Sequence, residues 1–153
     1  MTAMHIYKIS RVSYERAHSW QRERVDLRHA GLVGDALVLL EHPSTYTCGR
    51  ATSAEHLPQP AWLQGRSVHV VEIERGGSVT YHGPGQLVGY PIIDLRERGR
   101  DVHRYLRDLE DILIAALRLM GVEGTRREGL TGVWVGEEKI AAIDLEHSKR
   151  FIA

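Results

Sequence analysis

The chain has 153 residues, enough for one domain that buries roughly 70% of the surface its unfolded form exposes. Apolar residues make up 42% and charged residues 26%, an ordinary globular balance that excludes disorder, collagen and coiled coil. Twenty Lys and Arg against twenty Asp and Glu give zero formal charge, so the chain lacks the basic excess expected of a nucleic-acid coat.

Cys48 is the one cysteine, so no internal disulfide forms, which favours a reducing cytosol. No apolar run is long enough to span a membrane, and Met1–Ser10 lacks the pattern of a signal peptide. The expectation is a cytoplasmic protein.

In chain order, His5–Ile9 alternates and predicts a short strand. Ser13 is placed to cap a helix running to about His29, with an inner stripe of Ala17, Trp20, Arg24 and Leu27 and a stop at Gly31. Ala36–Glu41 is a compact apolar run closed by Pro43, which suits a strand buried on both faces. Thr45–Arg50 predicts a second extended piece, and Ala51–Gly65, with two prolines, predicts loop. Ser67–Ile73, Val79–Tyr81 and Gln86–Ile93 are further strands separated by glycine-rich breaks.

The strongest element is Asp101–Met120. Val102, Tyr105, Leu106, Leu109, Ile112, Leu113, Ala116, Leu117 and Met120 follow the helical i, i+3, i+4 rule, with Asp101 as cap and Gly121 as stop. Val133–Val135 and Lys139–Ile143 predict a hairpin across Gly136-Glu137-Glu138. The pattern is α+β, a mixed sheet of at least five strands flanked by helices. Six of the seven residues Asp144–Arg150 are polar or charged, without cap or periodicity, and residues 144–153 read as a tail separate from a domain at 1–143.

Chemistry concentrates in Arg75-Gly76-Gly77-Ser78-Val79-Thr80-Tyr81-His82-Gly83-Pro84-Gly85-Gln86. Four glycines in ten residues permit positive φ and close approach of backbone to a ligand. Exposed N–H groups in such a loop bind anions or carbonyls, and Arg75 adds a fork of donors. The same spacing also suits two tight β-turns between three strands. It is neither a P-loop nor a dinucleotide fingerprint, because no Gly-Lys-Ser/Thr follows and no helix opens after it. The nine histidines are scattered without metal-site spacing, so no metal is expected. His42 precedes a proline and is expected to support a turn, while His103 is expected on the surface of the long helix.

The run from Arg75 through Leu95 closely resembles the signature of the octanoyltransferases of lipoate biosynthesis. Leu39–Arg50 resembles that family's upstream block and Thr131–Ile143 its lysine block, in family order, so the resemblance covers about residues 5–143. It implies the fold of biotin and lipoate protein ligase catalytic domains. It also implies transfer of octanoyl from the phosphopantetheine thioester of acyl carrier protein to a lysine on lipoyl domains. Those acceptors belong to 2-oxoacid dehydrogenases and the glycine cleavage H protein. No further cofactor, membrane or nucleic acid is implied.

By motif position, Lys139 is the lysine that lowers the pKa of a catalytic cysteine. Arg75, Gly76, Gly77, Ser78, Val79, Thr80, Tyr81 and His82 line the octanoyl site, and Ala142 and Ile143 contact the thioester carbonyl. The family's proline-cysteine-glycine motif has no counterpart here. Asp144 stands where a glycine belongs, and the resemblance stops at Ile143. The expectation is therefore a truncated or frameshifted chain with its last strands missing. It is inactive as written, or is a remnant that binds octanoyl or acyl carrier protein without turnover. An ATP-dependent lipoate ligase is disfavoured, because all three blocks follow the transferase pattern.

Overall fold

A computed structural model describes residues 4–75, 77–145, 147–148 and 151–152. The chain divides into two compact units, Met1–Asp94 with Leu145–Ala153, and Leu95–Asp144.

In the first unit, strand β1 (His5–Arg11) is followed by helix α1 (Tyr14–His29) and strand β2 (Ala36–Glu41). Ser13 caps α1, its Oγ accepting from the Arg16 N–H at 3.4 Å. β2 lies parallel to β1 on one side and antiparallel to β6 (Val88–Ile92) on the other. Its alternation decides its burial. Ala36, Val38 and Leu40 are buried, whereas Leu37 and Leu39 are only half-buried, so one face rather than both is sealed. Ala17 and Trp20 of α1 pack on Val38 and Leu40, together with Tyr7, Val12, Val88 and Tyr90. Arg24 extends its guanidinium over the Tyr7 ring at 5.4 Å.

A second sheet is centred on β3 (Thr45–Cys48), parallel to β4 (His69–Glu72) and antiparallel to β5 (Val79–His82). Between β3 and β4 the loop holds a 3₁₀ turn, Ala54–His56, and the short helix α2 (Pro60–Leu63). Arg28 neutralises two buried carboxylates, pairing with Asp35 at 2.8 Å and Asp94 at 3.7 Å.

The second unit holds helix α3 (Val102–Leu119) and the hairpin β7 (Val133–Val135) and β8 (Glu138–Ala141). Asp101 caps α3 through the Arg104 N–H at 2.9 Å, and Gly121 takes φ +77 just beyond it. The periodic stripe of α3 is only partly covered. Tyr105 is buried, but Ile112 is 63% and Met120 69% exposed.

The single sheet of five or more strands expected from the pattern is not formed. The described strands make two three-stranded sheets and two two-stranded pairs. Neither β2 nor β3 shares a hydrogen-bonded edge with the other, since each already has both edges filled. One of the pairs, β9 (His147–Ser148) with β10 (Phe151–Ile152), lies in the stretch read as a tail separate from the domain. No helix among the described residues is long and apolar enough to cross a membrane.

Candidate functional site

The glycine-rich segment is held from inside the second sheet. Arg75 is 7% exposed, and its Nη2 donates to Thr80 Oγ1 at 2.6 Å, to the Thr47 carbonyl at 3.3 Å and to Thr47 Oγ1 at 3.4 Å. A fork of donors expected to face a ligand thus turns inward at this end and ties β3 to β5. The next residues are secured by their carbonyls. Arg50 N–H donates to Arg75 O at 3.1 Å, Ala51 N–H to Gly77 O at 2.9 Å and Gly49 N–H to Ser78 O at 3.1 Å. Gly77 sits at φ +80, which only glycine adopts without strain. Gly76 lies outside the described residues.

Beyond Gly77 the side chains find partners of their own. Ser78 Oγ meets His56 Nδ1 at 2.5 Å, and Tyr81 donates its hydroxyl to Ser44 Oγ at 3.1 Å with its ring tilted on Tyr46. The Tyr81 ring lies over Gly83, where any Cβ would collide with it. His82 donates from Nδ1 to Gln86 Oε1 at 3.2 Å. Val79 and Thr80 are half-buried strand residues paired with Cys48 and Thr47.

Four aromatic residues gather beside this segment. His42 is fully buried and donates from Nδ1 to the Val12 carbonyl at 2.7 Å, which leaves Nε2 to accept from the Tyr90 hydroxyl at 2.7 Å. Tyr14 lies 5.4 Å from the His42 ring and stacks on His82 at 5.9 Å, and the two histidine rings are 5.5 Å apart. Burial pushes the pKa of His42 down, against opposing pulls from the Val12 carbonyl and Glu15, so the ring stays neutral at pH 7. His42 is thus a buried acceptor and donor between elements rather than a support for the turn at Pro43. The sequence carried no local sign of this cluster, because its four members lie 28 to 76 residues from Tyr14 or at it.

A cleft of about 350 Å³ opens next to the segment, lined by Cys48, Gly49, Arg50, Thr52, Leu57 and Ile73 among others. Cys48 ends β3 in register with Val79 on one side and Glu72 on the other. Burial and the Glu72 carboxylate push its thiol pKa up, with Arg75 pulling weakly the other way. At neutral pH it is a protonated thiol and a poor nucleophile.

In the second unit, Lys139 leaves β8 beside Trp134 of β7. Its Nζ donates to the Thr131 carbonyl at 3.3 Å and lies 4.8 Å from the Trp134 ring centroid. Trp134 is buried and exchanges two 2.8 Å backbone hydrogen bonds with Thr125. Gly136, at φ +57, makes the turn between the strands, and Arg127 donates to its carbonyl at 3.0 Å. Ala142 is exposed and Ile143 half-buried, both just past β8. The structure therefore gathers Arg75 and 77–82 in the first unit, and Lys139, Ala142 and Ile143 in the second.

Comparison with known proteins gives three findings. The family model described as "Lipoyl protein ligase A/B catalytic domain" matches residues 13–152, past Ile143 and through most of the stretch set apart as a tail. The protein named octanoyltransferase in Roseiflexus sp. (strain RS-1) is 49% identical over 97% of this chain and 63% of its own length. Its namesake in Chloroflexus aggregans is 46% identical over 97% of this chain and 68% of its own length. The chain thus spans about two thirds of the length of these relatives. Among solved structures, lipoate-protein ligase A bound with ATP superposes with a TM-score of 0.74 at 14% identity, over 99% of this chain and 64% of that one. A bi-partite lipoate protein ligase from Thermoplasma acidophilum gives 0.73 at 16%, over 99% and 59%. At such identities the likeness is one of fold.

Proposed function

The chain belongs to the lipoyl protein ligase A/B catalytic domain family, and on that premise we propose that it carries the octanoyl-binding segment and the proton-handling lysine of an octanoyltransferase. The reaction is transfer of octanoyl from the phosphopantetheine thioester of acyl carrier protein to a lysine amine on lipoyl domains, in the cytoplasm. The observation that carries this reading is identity of 46–49% with octanoyltransferases across nearly the whole chain, including both blocks that hold the site.

The chemistry needs a thiolate that attacks the thioester carbonyl and expels the phosphopantetheine thiolate, which takes up a proton. The acceptor amine then attacks the acyl-enzyme, loses a proton and restores the thiolate. An ammonium beside the thiol stabilises the anion, and the same amine relays the proton. Lys139 fits that role, since its ammonium is fixed by one carbonyl and one ring yet remains solvent-exposed. Arg75 serves the acyl group by setting the shape of segment 77–82 from beneath. Ala142 and Ile143, next to the lysine strand, supply backbone groups toward the thioester.

These 153 residues hold one thiol, and Cys48 is poorly suited to the task because it is buried and protonated. The polypeptide as it stands therefore binds the acyl group without forming an acyl-enzyme. Hydrogen exchange with octanoyl-acyl carrier protein tests this. The prediction is slower exchange in segment 77–82 than with unacylated carrier, and no octanoyl mass added to the chain. Equal exchange with both carriers would defeat the reading. Protection only with lipoate and ATP would point to a ligase instead.

A further inference from the structure

Helix α3 carries one carboxylate that faces inward. Glu110 is fully buried, and its Oε2 accepts from Arg107 Nη1 at 2.7 Å and Arg126 Nε at 2.8 Å. Its Oε1 accepts from the backbone N–H of Gly132 at 3.0 Å. Burial alone would raise the pKa of this carboxyl, but the Gly132 amide and the two guanidiniums outweigh it and hold it below the ordinary range. Glu110 is an anion at neutral pH.

The Gly132 bond leads to the lysine. The Gly132 N–H and the Thr131 carbonyl belong to one peptide unit, and that carbonyl is the acceptor for Lys139 Nζ. A trans peptide is planar and directs its N–H and C=O oppositely. One rigid plate therefore has a carboxylate at its N–H edge and an ammonium at its C=O edge. Hydrogen bonding at one edge strengthens the dipole presented at the other. Gly132 permits the arrangement. At φ +135, a Cβ there would stand 2.7 Å from the Ala141 carbonyl and 3.4 Å from Lys139 Cδ and Cε, so the plate lies directly on the lysine's own stem and strand.

We propose that Glu110 is a positioning residue for Lys139, fixing and polarising the Thr131–Gly132 peptide so that its carbonyl holds the ammonium over Trp134. The residue itself touches no substrate. That Lys139 matters for acyl transfer rests on the function proposed above, whereas its positioning does not.

The test is competitive acetylation of the full chain with N-acetoxysuccinimide, reading the rate at Lys139 relative to Lys8 by peptide mass spectrometry. In Glu110→Met, which removes both acceptor oxygens at similar length, with α3 intact by circular dichroism, the ratio should rise about fivefold, the net worth of one hydrogen bond. Glu110→Asp keeps the charge for the arginines but is one methylene too short for Gly132, and should raise it similarly. Arg107→Met leaves the Gly132 bond in place and should stay within about twofold of wild type. An unchanged ratio in a folded Glu110 variant overturns the proposal. So does an equal rise in Arg107→Met, since that would mean general loosening. If neither Glu110 variant folds, amide exchange of wild-type Gly132 decides, protection supporting the proposal and free exchange overturning it. No octanoyl transfer enters any of these readings, so failure of the functional reading leaves them unaffected.

Discussion

Replacing Arg75 by methionine keeps an unbranched stem in the same space and deletes the guanidinium. The bonds lost include one short charge-assisted bond to Thr80, at 2.6 Å, and two longer ones to Thr47, at 3.3 and 3.4 Å. A hydrogen bond from a charged donor contributes about 1.5–3 kcal/mol, and the longer pair adds a fraction of that. The Thr47 hydroxyl still donates to the Thr80 carbonyl at 3.4 Å, so it is not orphaned. The net loss is therefore about 2–3 kcal/mol, which lowers Tm by roughly 5–10 °C in a chain of this size. Circular dichroism melts measure it. Hydrogen exchange localises it, with faster exchange expected across Thr45–Cys48 and Val79–His82 and none added in Val102–Leu119. A shift below about 2 °C would refute the reasoning, because Arg75 would then have to act on a ligand rather than on the sheet.

Two further outcomes follow from the titrating groups. The buried ring of His42 resists protonation while its unfolded counterpart accepts a proton near pH 6.5, so the unfolded state binds more protons as pH falls. Stability should thus drop as pH is lowered through about 6.5 and level off below the depressed folded pKa; His42→Gln should flatten that slope in a series of pH-dependent melts, and an unaltered slope would assign it to other groups. Cys48, buried with its pKa raised, should react with iodoacetamide at pH 7 more slowly in the folded chain than after unfolding in urea. Equal rates would show an accessible thiolate.

The local signals in the chain were reliable where one residue type decides the structure. Ser13 and Asp101 cap the helices whose starts they mark, whereas the apolar run of β2, read as buried on both faces, seals only the face of Ala36, Val38 and Leu40. Partition of the strands was not legible. Edge filling by β1 and β6 on one side, and by β4 and β5 on the other, is a property of pairing partners far apart in sequence. The stripe of α3 predicted a buried face, yet Ile112 is 63% and Met120 69% exposed, because periodicity records which residues share a face and not what covers it.

The candidate site divided in the same way. The glycine segment and Lys139 announced themselves as motifs. Arg75 was legible as a donor, but only the fold shows its Nη2 turned toward Thr47 and Thr80. Nothing in the sequence showed that Tyr14, His42 and Tyr90 meet, since a polar aromatic nest built from segments far apart has no local spacing. Glu110 was hidden for a related reason. It falls among charged residues of a helix, and its burial depends on Arg107, Arg126 and Gly132 arriving together.

The most direct measurement is octanoyl transfer by a chimera that joins residues 1–143 to the part of the Roseiflexus octanoyltransferase that follows its lysine block. By the family resemblance, that part is where the proline-cysteine-glycine motif is expected. Octanoyl-acyl carrier protein and a lipoyl domain are the substrates, and octanoylated lipoyl domain is read by intact mass. The prediction is transfer by the chimera, none by the 153-residue chain, and loss of the chimera's activity by at least about a hundredfold in Lys139→Ala, the lower range for a group that handles protons in the transition state. Transfer that persists in Lys139→Ala, or a chain that transfers octanoyl through Cys48 unaided, would contradict the account.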